Sequence, residues 1–232
     1  MELLASGRDA DVFAFAPGLV LRRARSGRSI AHEARIMEYV GGQGYPVPRI
    51  EEVRAGGTEI VMERVEGPIM VDLMQRPWKI APCLRTLADL HDRLHEIVAP
   101  DWLAGMSDDG DRVLHLDLHP LNVIMSARGP VVIDWPNARR GDPMCDVALT
   151  YALMLCGRVP LPRPIAAALN AARRPVVDRV FARRYAGDAF DRAVADMAEL
   201  KCFDTNMHPD ELAKLRALAG AKLAASEKRA PG

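Results

Sequence analysis

The residues in this chain best suited to chemistry lie between Val113 and Asp146: V-L-H-L-D-L-H-P-L-N-V-I-M-S-A-R-G-P-V-V-I-D-W-P-N-A-R-R-G-D-P-M-C-D. Four Asp, two His and two Asn sit there among short β-branched runs. Polar groups at that density inside apolar sequence are costly unless they do chemistry or satisfy one another. His115 to Asn122 fits H-x-D-x-x-x-x-N, and an apolar strand delivers Asp134 seventeen residues after Asp117. Metal-assisted phosphoryl transfer uses such a set. One carboxylate orients the attacking hydroxyl and accepts its proton. A second carboxylate and an amide oxygen hold Mg²⁺ against the nucleotide phosphates, over which a cation lies. Asp117 suits the first role, and Asn122 and Asp134 suit the second. Their hard oxygen donors favour Mg²⁺ over zinc. A metal-dependent hydrolase is the competing chemistry. His115, Asp117 and His119 alternate, so in a continuous strand they would share one face at metal-ligand spacing. Pro120 directly after His119, and a strand-rich segment upstream, weigh against it.

That upstream segment must supply whatever holds the phosphates. Residues 3–24 read as two short strands, V-F-A-F-A and L-V-L-R, joined by a tight turn at Pro17-Gly18. Gly7 precedes them in a turn of the kind whose backbone N–H groups can face phosphate. Ile30 to Val40 has helical spacing, with Ile30, Met37 and Val40 on one face. Glu33 falls on that same inward stripe, where a carboxylate needs a cationic partner. Arg22 and Arg23, at the end of the preceding strand, are the candidates. Arg49–Arg54 and Thr58–Glu63 read as two more strands around Ala55-Gly56-Gly57. The order strand, strand, helix, strand, strand predicts a small antiparallel sheet with one helix. Glu63 to Pro68 then marks a hinge, so the boundary falls between 1–66 and 67–232.

Downstream the chain turns helical. Ile80, Leu84, Leu87, Leu94 and Val98 mark a long amphipathic helix with His91 on its stripe. His91 reads as a packed core histidine rather than a ligand. Asp142 with Pro143 behind it reads as a helix N-cap. Ile165 to Leu223 has an Ala- and Leu-rich i, i+3, i+4 pattern that predicts three further helices. Asp178, Asp188, Asp191, Asp196 and Glu199 could there form an acidic wall for a cationic acceptor, or lie on solvated helix faces. The fold class predicted is α+β: two lobes, an antiparallel-sheet lobe with one helix and a mainly helical lobe.

Composition bounds the partners. In 232 residues, Lys plus Arg and Asp plus Glu both number 31, which gives no global electrostatic reason to expect nucleic acid or an anionic membrane surface. The N-terminus has neither a basic region nor an apolar run, so a cytoplasmic protein without a secretory signal is expected. Cys83, Cys145, Cys156 and Cys202 are widely spaced and read as structural thiols.

H-L-D-L-H-P-L-N followed by V-V-I-D-W resembles the aminoglycoside phosphotransferase family and its choline and homoserine kinase relatives, which share a protein-kinase-like fold. The resemblance covers nearly the whole chain. It takes in V-L-R-R before the helix with Glu33, the M-E-R-V-E-G-P hinge, L-H-D-R-L-H in the long helix and G-D-P-M-C-D-V-A downstream. It implies an ATP- and Mg²⁺-dependent phosphotransferase acting on a hydroxyl of a small molecule. Asp117 would be the catalytic base, and Asn122 and Asp134 the metal ligands. Glu33 would partner the phosphate-binding cation, while the Glu63 carbonyl and Val65 N–H would face adenine. Asp146 would brace the catalytic loop through its backbone. Four departures stand out. Arg22 occupies the position of the nucleotide lysine, Leu116 stands where Gly is usual, Gly7 is alone in the nucleotide loop, and the helical tail is short. Arg22 keeps a nucleotide-binding protein without turnover, a pseudokinase, as the alternative reading. The acceptor, the choice of ATP or GTP and the oligomeric state are left open.

Overall fold

The structure, a computed structural model, describes residues 1–7, 9–106, 110–157, 173–204 and 207–227. Its N-terminal part is a five-stranded antiparallel sheet in the order β1-β2-β3-β5-β4. The strands are β1 (Leu3–Ser6), β2 (Ala10–Ala16), β3 (Leu19–Ala24), β4 (Ile50–Arg54) and β5 (Glu59–Glu63). The sequence predicts four of these and misses β1. All four β1 residues are exposed, so L-L-A-S has no buried face to leave a period-2 signature. Helix α1 (Ala31–Gly42) follows β3 and matches the predicted helix. Ile30 and Ala34 pack with Ala24 and Ile60 of the sheet, whereas Ile36, Met37 and Val40 join the large core of the helical part. One helix therefore belongs to both halves, and its rotation is fixed from two sides.

The crossing between the halves is tight. The Met125 N–H donates to the Pro68 carbonyl and the Val132 N–H to the Pro46 carbonyl, each at 2.8 Å. Gly67, in the predicted hinge, has φ +152°, and a Cβ there would lie 2.3 Å from the Met125 carbonyl oxygen. Only glycine fits that approach.

The C-terminal part begins with the short α2 (Met70–Leu73) and α3 (Pro77–His95). Leu84, Leu87, His91 and Leu94 of α3 are buried as the stripe requires, while Val98 lies beyond the helix end and is exposed. Two small antiparallel pairs carry the chemistry-rich stretch. β6 (Arg112–Leu114) pairs with β9 (Arg139–Gly141), and β7 (Val123–Ser126) with β8 (Gly129–Val132). Asp142 caps α4 (Pro143–Cys156), accepting the Met144 N–H at 2.9 Å. A helical segment with π turns at Asp178–Ala182, then α5 (Asp188–Lys201) and α6 (Pro209–Glu227), complete the described chain. The predicted helical stretch from Ile165 lies outside the described residues as far as 172. Among the described residues the four cysteines are free. Burial pushes the Cys83, Cys145 and Cys156 thiols up, which keeps them neutral. No described helix is long and apolar enough to cross a membrane.

Candidate active site

The loop from His115 to Asn122 runs between β6 and β7, and its shape is set by one buried carboxylate. Asp146, in the first turn of α4, accepts the His115 N–H on Oδ2 and the Leu116 N–H on Oδ1, both at 2.8 Å. Its carboxyl is held well below the usual range. Burial would raise it, but the imidazoles of His95, His91 and His115 outweigh that cost. The His115 ring packs on Trp135 with centroids 4.5 Å apart and lies with Nε2 3.1 Å from the Ile133 carbonyl. The bonding continues from there. The Ile133 N–H donates to the Asn122 carbonyl at 3.0 Å, and Asn122 Nδ2 donates to the Asp117 carbonyl at 2.9 Å. A longer contact of 3.3 Å runs from Nδ2 to Asp117 Oδ2. The loop, the segment after β8 and α4 are thus joined through a continuous set of hydrogen bonds.

Asp117 is partly exposed, with His119 Nε2 3.4 Å from Oδ1. Burial alone would raise its carboxyl; the His119 imidazole outweighs it, with help from His115 and Lys201, and the group is held below its ordinary value. It is therefore an ionised acceptor at neutral pH. With Asn122 Nδ2 turned to Asp117, Asn122 Oδ1 is the amide atom left for a cation. Asp134 follows the end of β8 at φ +68°, outside the strand geometry, and its side chain is 37% exposed.

Both halves meet at Arg22. Its Nη2 lies 3.0 Å from Glu33 Oε2 and 2.9 Å from Asp134 Oδ1. This resolves the choice between the two arginines, because Arg23 pairs with Glu59 at 2.7 Å. Glu33 is buried, which pushes its carboxyl up against the opposing charge of Arg22. Arg22 Nε is buried and has no hydrogen-bond partner among the described residues. Beyond β5, the half-buried Val65 N–H has no partner among the described residues, while the Glu63 side chain pairs with Arg128 at 2.9 Å. Gly7 lies in the β1–β2 turn, where its N–H is committed to the Ala10 carbonyl at 2.9 Å. His115, Asp117 and His119 do not converge as a metal cluster among the described residues. The loop is not a strand, and the His115 side chain is turned inward.

The sequence profile of the phosphotransferase enzyme family (APH) matches residues 70–196, more than half of the chain. The chain belongs to the phosphotransferase enzyme family. Among curated proteins none matches it by sequence. Solved structures do match. An aminoglycoside-3′-phosphotransferase of type VIII is 19% identical, with 94% of this chain and 90% of that one covered and a TM-score of 0.58. The APH(2″)-IIa enzyme, in a ternary complex with streptomycin and ATP, is 14% identical over 94% and 90%, with a TM-score of 0.60. A choline/ethanolamine kinase family protein from Mesorhizobium loti is 15% identical over 98% and 86%, with a TM-score of 0.54. At these identities the likeness is one of fold, and it establishes the two-lobed, protein-kinase-like α+β architecture.

This phosphotransferase departs from its family pattern at Leu116, which takes φ +57°. A left-handed residue with a side chain costs about 1–3 kcal/mol, and here the site needs that conformation so that successive amides reach Asp146. Leu116 is half-buried against the core, so packing offsets part of the strain. Leu116→Gly is therefore expected to be more stable than Leu116→Ala by about 1 kcal/mol, since both lose the packing and only Ala keeps the strain. Urea denaturation of the two variants checks the order, and a more stable Ala variant would remove the strain account.

Other parts of the phosphotransferase were not legible in its sequence. Lys201, at the end of α5, lies near enough to Asp117 to help hold its carboxyl down, and pairs with Asp204 at 2.9 Å. No motif marks it; only the fold brings it there. The acidic wall is dismantled at two of its five positions. Asp191 is buried against Lys222 at 2.6 Å, and Asp178 accepts the Tyr151 hydroxyl at 2.6 Å; of the other three, Asp188 is half-buried and Asp196 and Glu199 are exposed. His91 is a core residue as predicted, though its Nδ1 has no hydrogen-bond partner among the described residues.

Proposed function

We propose that this phosphotransferase moves the γ-phosphoryl group of ATP, with Mg²⁺, to a hydroxyl of a small molecule. The observation that carries the reading is the junction at Arg22. One guanidinium joins Glu33 of the sheet half to Asp134 of the helical half, and its buried Nε still lacks an acceptor. A buried donor without a partner costs about 1–3 kcal/mol, and a phosphate oxygen is the acceptor this site would meet. Residues 1–66 then act as the nucleotide lobe and 67–232 as the lobe for catalysis and acceptor. The Val65 N–H and Glu63 carbonyl, at the end of β5, are the main-chain groups offered to the base. Gly7 would bound the phosphates, contributing its small size, since its N–H is used within the turn.

The oxygens of Asp134 and Asn122 suit Mg²⁺, a hard cation with few protein ligands. When bound there, the ion would neutralise phosphate charge. Asp117 receives the acceptor hydroxyl as a hydrogen-bond donor and takes its proton as the oxygen attacks phosphorus. Asn122 fixes the Asp117 loop through the main-chain carbonyl, and Asp146 fixes it through the two preceding amides. ATP as donor is supported by the ATP in the APH(2″)-IIa complex and by a choline kinase, LicA, solved with AMP. A small-molecule acceptor is supported by the aminoglycosides in the neighbouring complexes.

The second reading, nucleotide binding without turnover, is favoured by the Arg22–Asp134 pair, which engages one oxygen of the proposed metal carboxylate. Formation of ADP from Mg·ATP across a panel of aminoglycosides, choline, sugars and amino-alcohols separates the two. Acceptor-dependent ADP supports transfer, whereas ATP binding with no turnover on any acceptor supports the second reading. Arg22 is the residue to vary. Arg22→Lys keeps a cation for Glu33 and is expected to hold ATP affinity within a few-fold. Arg22→Met removes it and is expected to weaken ATP at least tenfold, about 1.4 kcal/mol. Unchanged affinity in both variants, measured by calorimetry, would show that Arg22 does not touch the phosphates.

A further inference from the structure

A second cluster of ligand-type atoms lies behind the catalytic loop, where α3 meets α4. The protonation of His91 follows from its neighbours. Thr150 Oγ donates to the Leu118 carbonyl at 2.7 Å, which uses its only proton. It therefore accepts from His91 Nε2, 3.0 Å away, and the neutral imidazole carries its proton on Nε2. Nδ1 is then a bare lone pair. It is buried, has no hydrogen-bond partner among the described residues and lies 3.8 Å from Asp146 Oδ2. A lone pair and a carboxylate facing one another repel, and a cation between them satisfies both. One helical turn on, His95 places Nε2 3.2 Å from the same oxygen. The three ligand atoms all lie within 4.8 Å of one another.

We propose that His91 Nδ1, His95 Nε2 and Asp146 Oδ2 bind one divalent transition-metal ion of the zinc type. Two imidazoles and a carboxylate suit Zn²⁺ or Co²⁺ rather than Mg²⁺. Bonds of about 2.0–2.1 Å put the donors of a tetrahedral site about 3.3 Å apart, and the separations of 3.2 and 3.8 Å to Asp146 bracket that value. Binding moves the His95 proton from Nε2 to Nδ1, so that Nε2 faces the ion as a lone pair. The amides of His115 and Leu116 already hold the Asp146 carboxylate from its other sides, as hydrogen bonds to metal-bound carboxylates do. A fourth ligand would enter from the side of His95, whose side chain is 9% exposed. The ion would tie α3 to α4 and stiffen the carboxylate that shapes the loop carrying Asp117.

The test is direct metal binding. Protein stripped with EDTA and desalted is titrated with Co²⁺ in the absence of nucleotide, both as wild type and in an Asp134→Asn background that removes the proposed Mg²⁺ carboxylate. One equivalent is expected in each, with the intense visible absorption of four-coordinate cobalt, which Zn²⁺ abolishes. His95→Gln can still donate a hydrogen bond to Asp146, and is expected to weaken Co²⁺ by about 100-fold. No retained metal, a pale six-coordinate spectrum, or undiminished binding in His95→Gln overturns the site. X-ray absorption at the zinc edge of the wild type provides a reading that needs no variant. Two imidazoles and a carboxylate oxygen support the site, and any other ligand set overturns it. No nucleotide or turnover enters these measurements, so their outcome is separate from that of the proposed phosphoryl transfer.

Discussion

Asp117→Asn is expected to lower turnover by about 10²–10⁴-fold, the usual worth of a positioned proton acceptor, while nucleotide affinity stays within a few-fold. The substitution keeps the side chain's size and one oxygen for the Asn122 amide, 3.3 Å from Asp117 Oδ2 in the native protein. The loop itself is held by main-chain contacts. Asn122 grips the Asp117 carbonyl and Asp146 grips the amides of His115 and Leu116, none of which the substitution touches. What it removes is the ionised carboxylate that His119 and Lys201 help to keep deprotonated. Single-turnover ADP release and ATP binding, measured on the same preparation, separate the two quantities. Wild-type turnover would end the assignment of Asp117 as base. Loss of nucleotide binding would instead show that the carboxylate supports the phosphate site.

Asp134→Asn is expected to make ATP binding in Mg²⁺ indistinguishable from ATP binding in EDTA. Asparagine is the better choice than alanine for this experiment. Asp134 sits at φ +68°, a conformation that Asn tolerates and Ala resists, so the variant keeps the backbone while losing the charge. It also frees the Arg22 guanidinium from one of its two carboxylates, leaving Glu33 as its partner. Mg²⁺-independent affinity should therefore hold or rise slightly as only the metal-dependent part disappears. Calorimetry with and without Mg²⁺ reads both. A persistent Mg²⁺ effect would place the ion on other oxygens and contradict the role proposed for Asp134.

The two experiments probe residues held by one bonded structure, Asp117 at its end and Asp134 directly after Ile133. From Asp146 the hydrogen bonds run through His115 to Ile133, from Ile133 to Asn122, and from Asn122 to Asp117. Most of these contacts use main-chain atoms, which the side-chain substitutions leave in place. That is why large losses of function are expected here without comparable losses of stability. Leu116 is the exception, where shaping the loop costs backbone strain.

The sequence by itself determined the candidate groups for the reaction and the order of the elements around them. H-x-D-x-x-x-x-N and the strand ending at Asp134 are local patterns, and a glutamate on the inward stripe of a helix is visible from periodicity alone. The two-lobed α+β fold was legible for the same reason, since each lobe announces itself by a different period. β1 was not, because a strand exposed along its whole length carries no burial pattern. Only the tertiary structure decided between Arg22 and Arg23. They are adjacent in a strand and so point to opposite faces, and the sheet's orientation over α1 picks the one that meets Glu33. It also turned Asp178 and Asp191 into internal partners, which no helical periodicity distinguishes from a solvated face. Lys201 and the His91–His95–Asp146 cluster belong to the same class. Asp146 is brought to His95 from 51 positions away in the chain, and long-range proximity is a property of packing rather than of spacing.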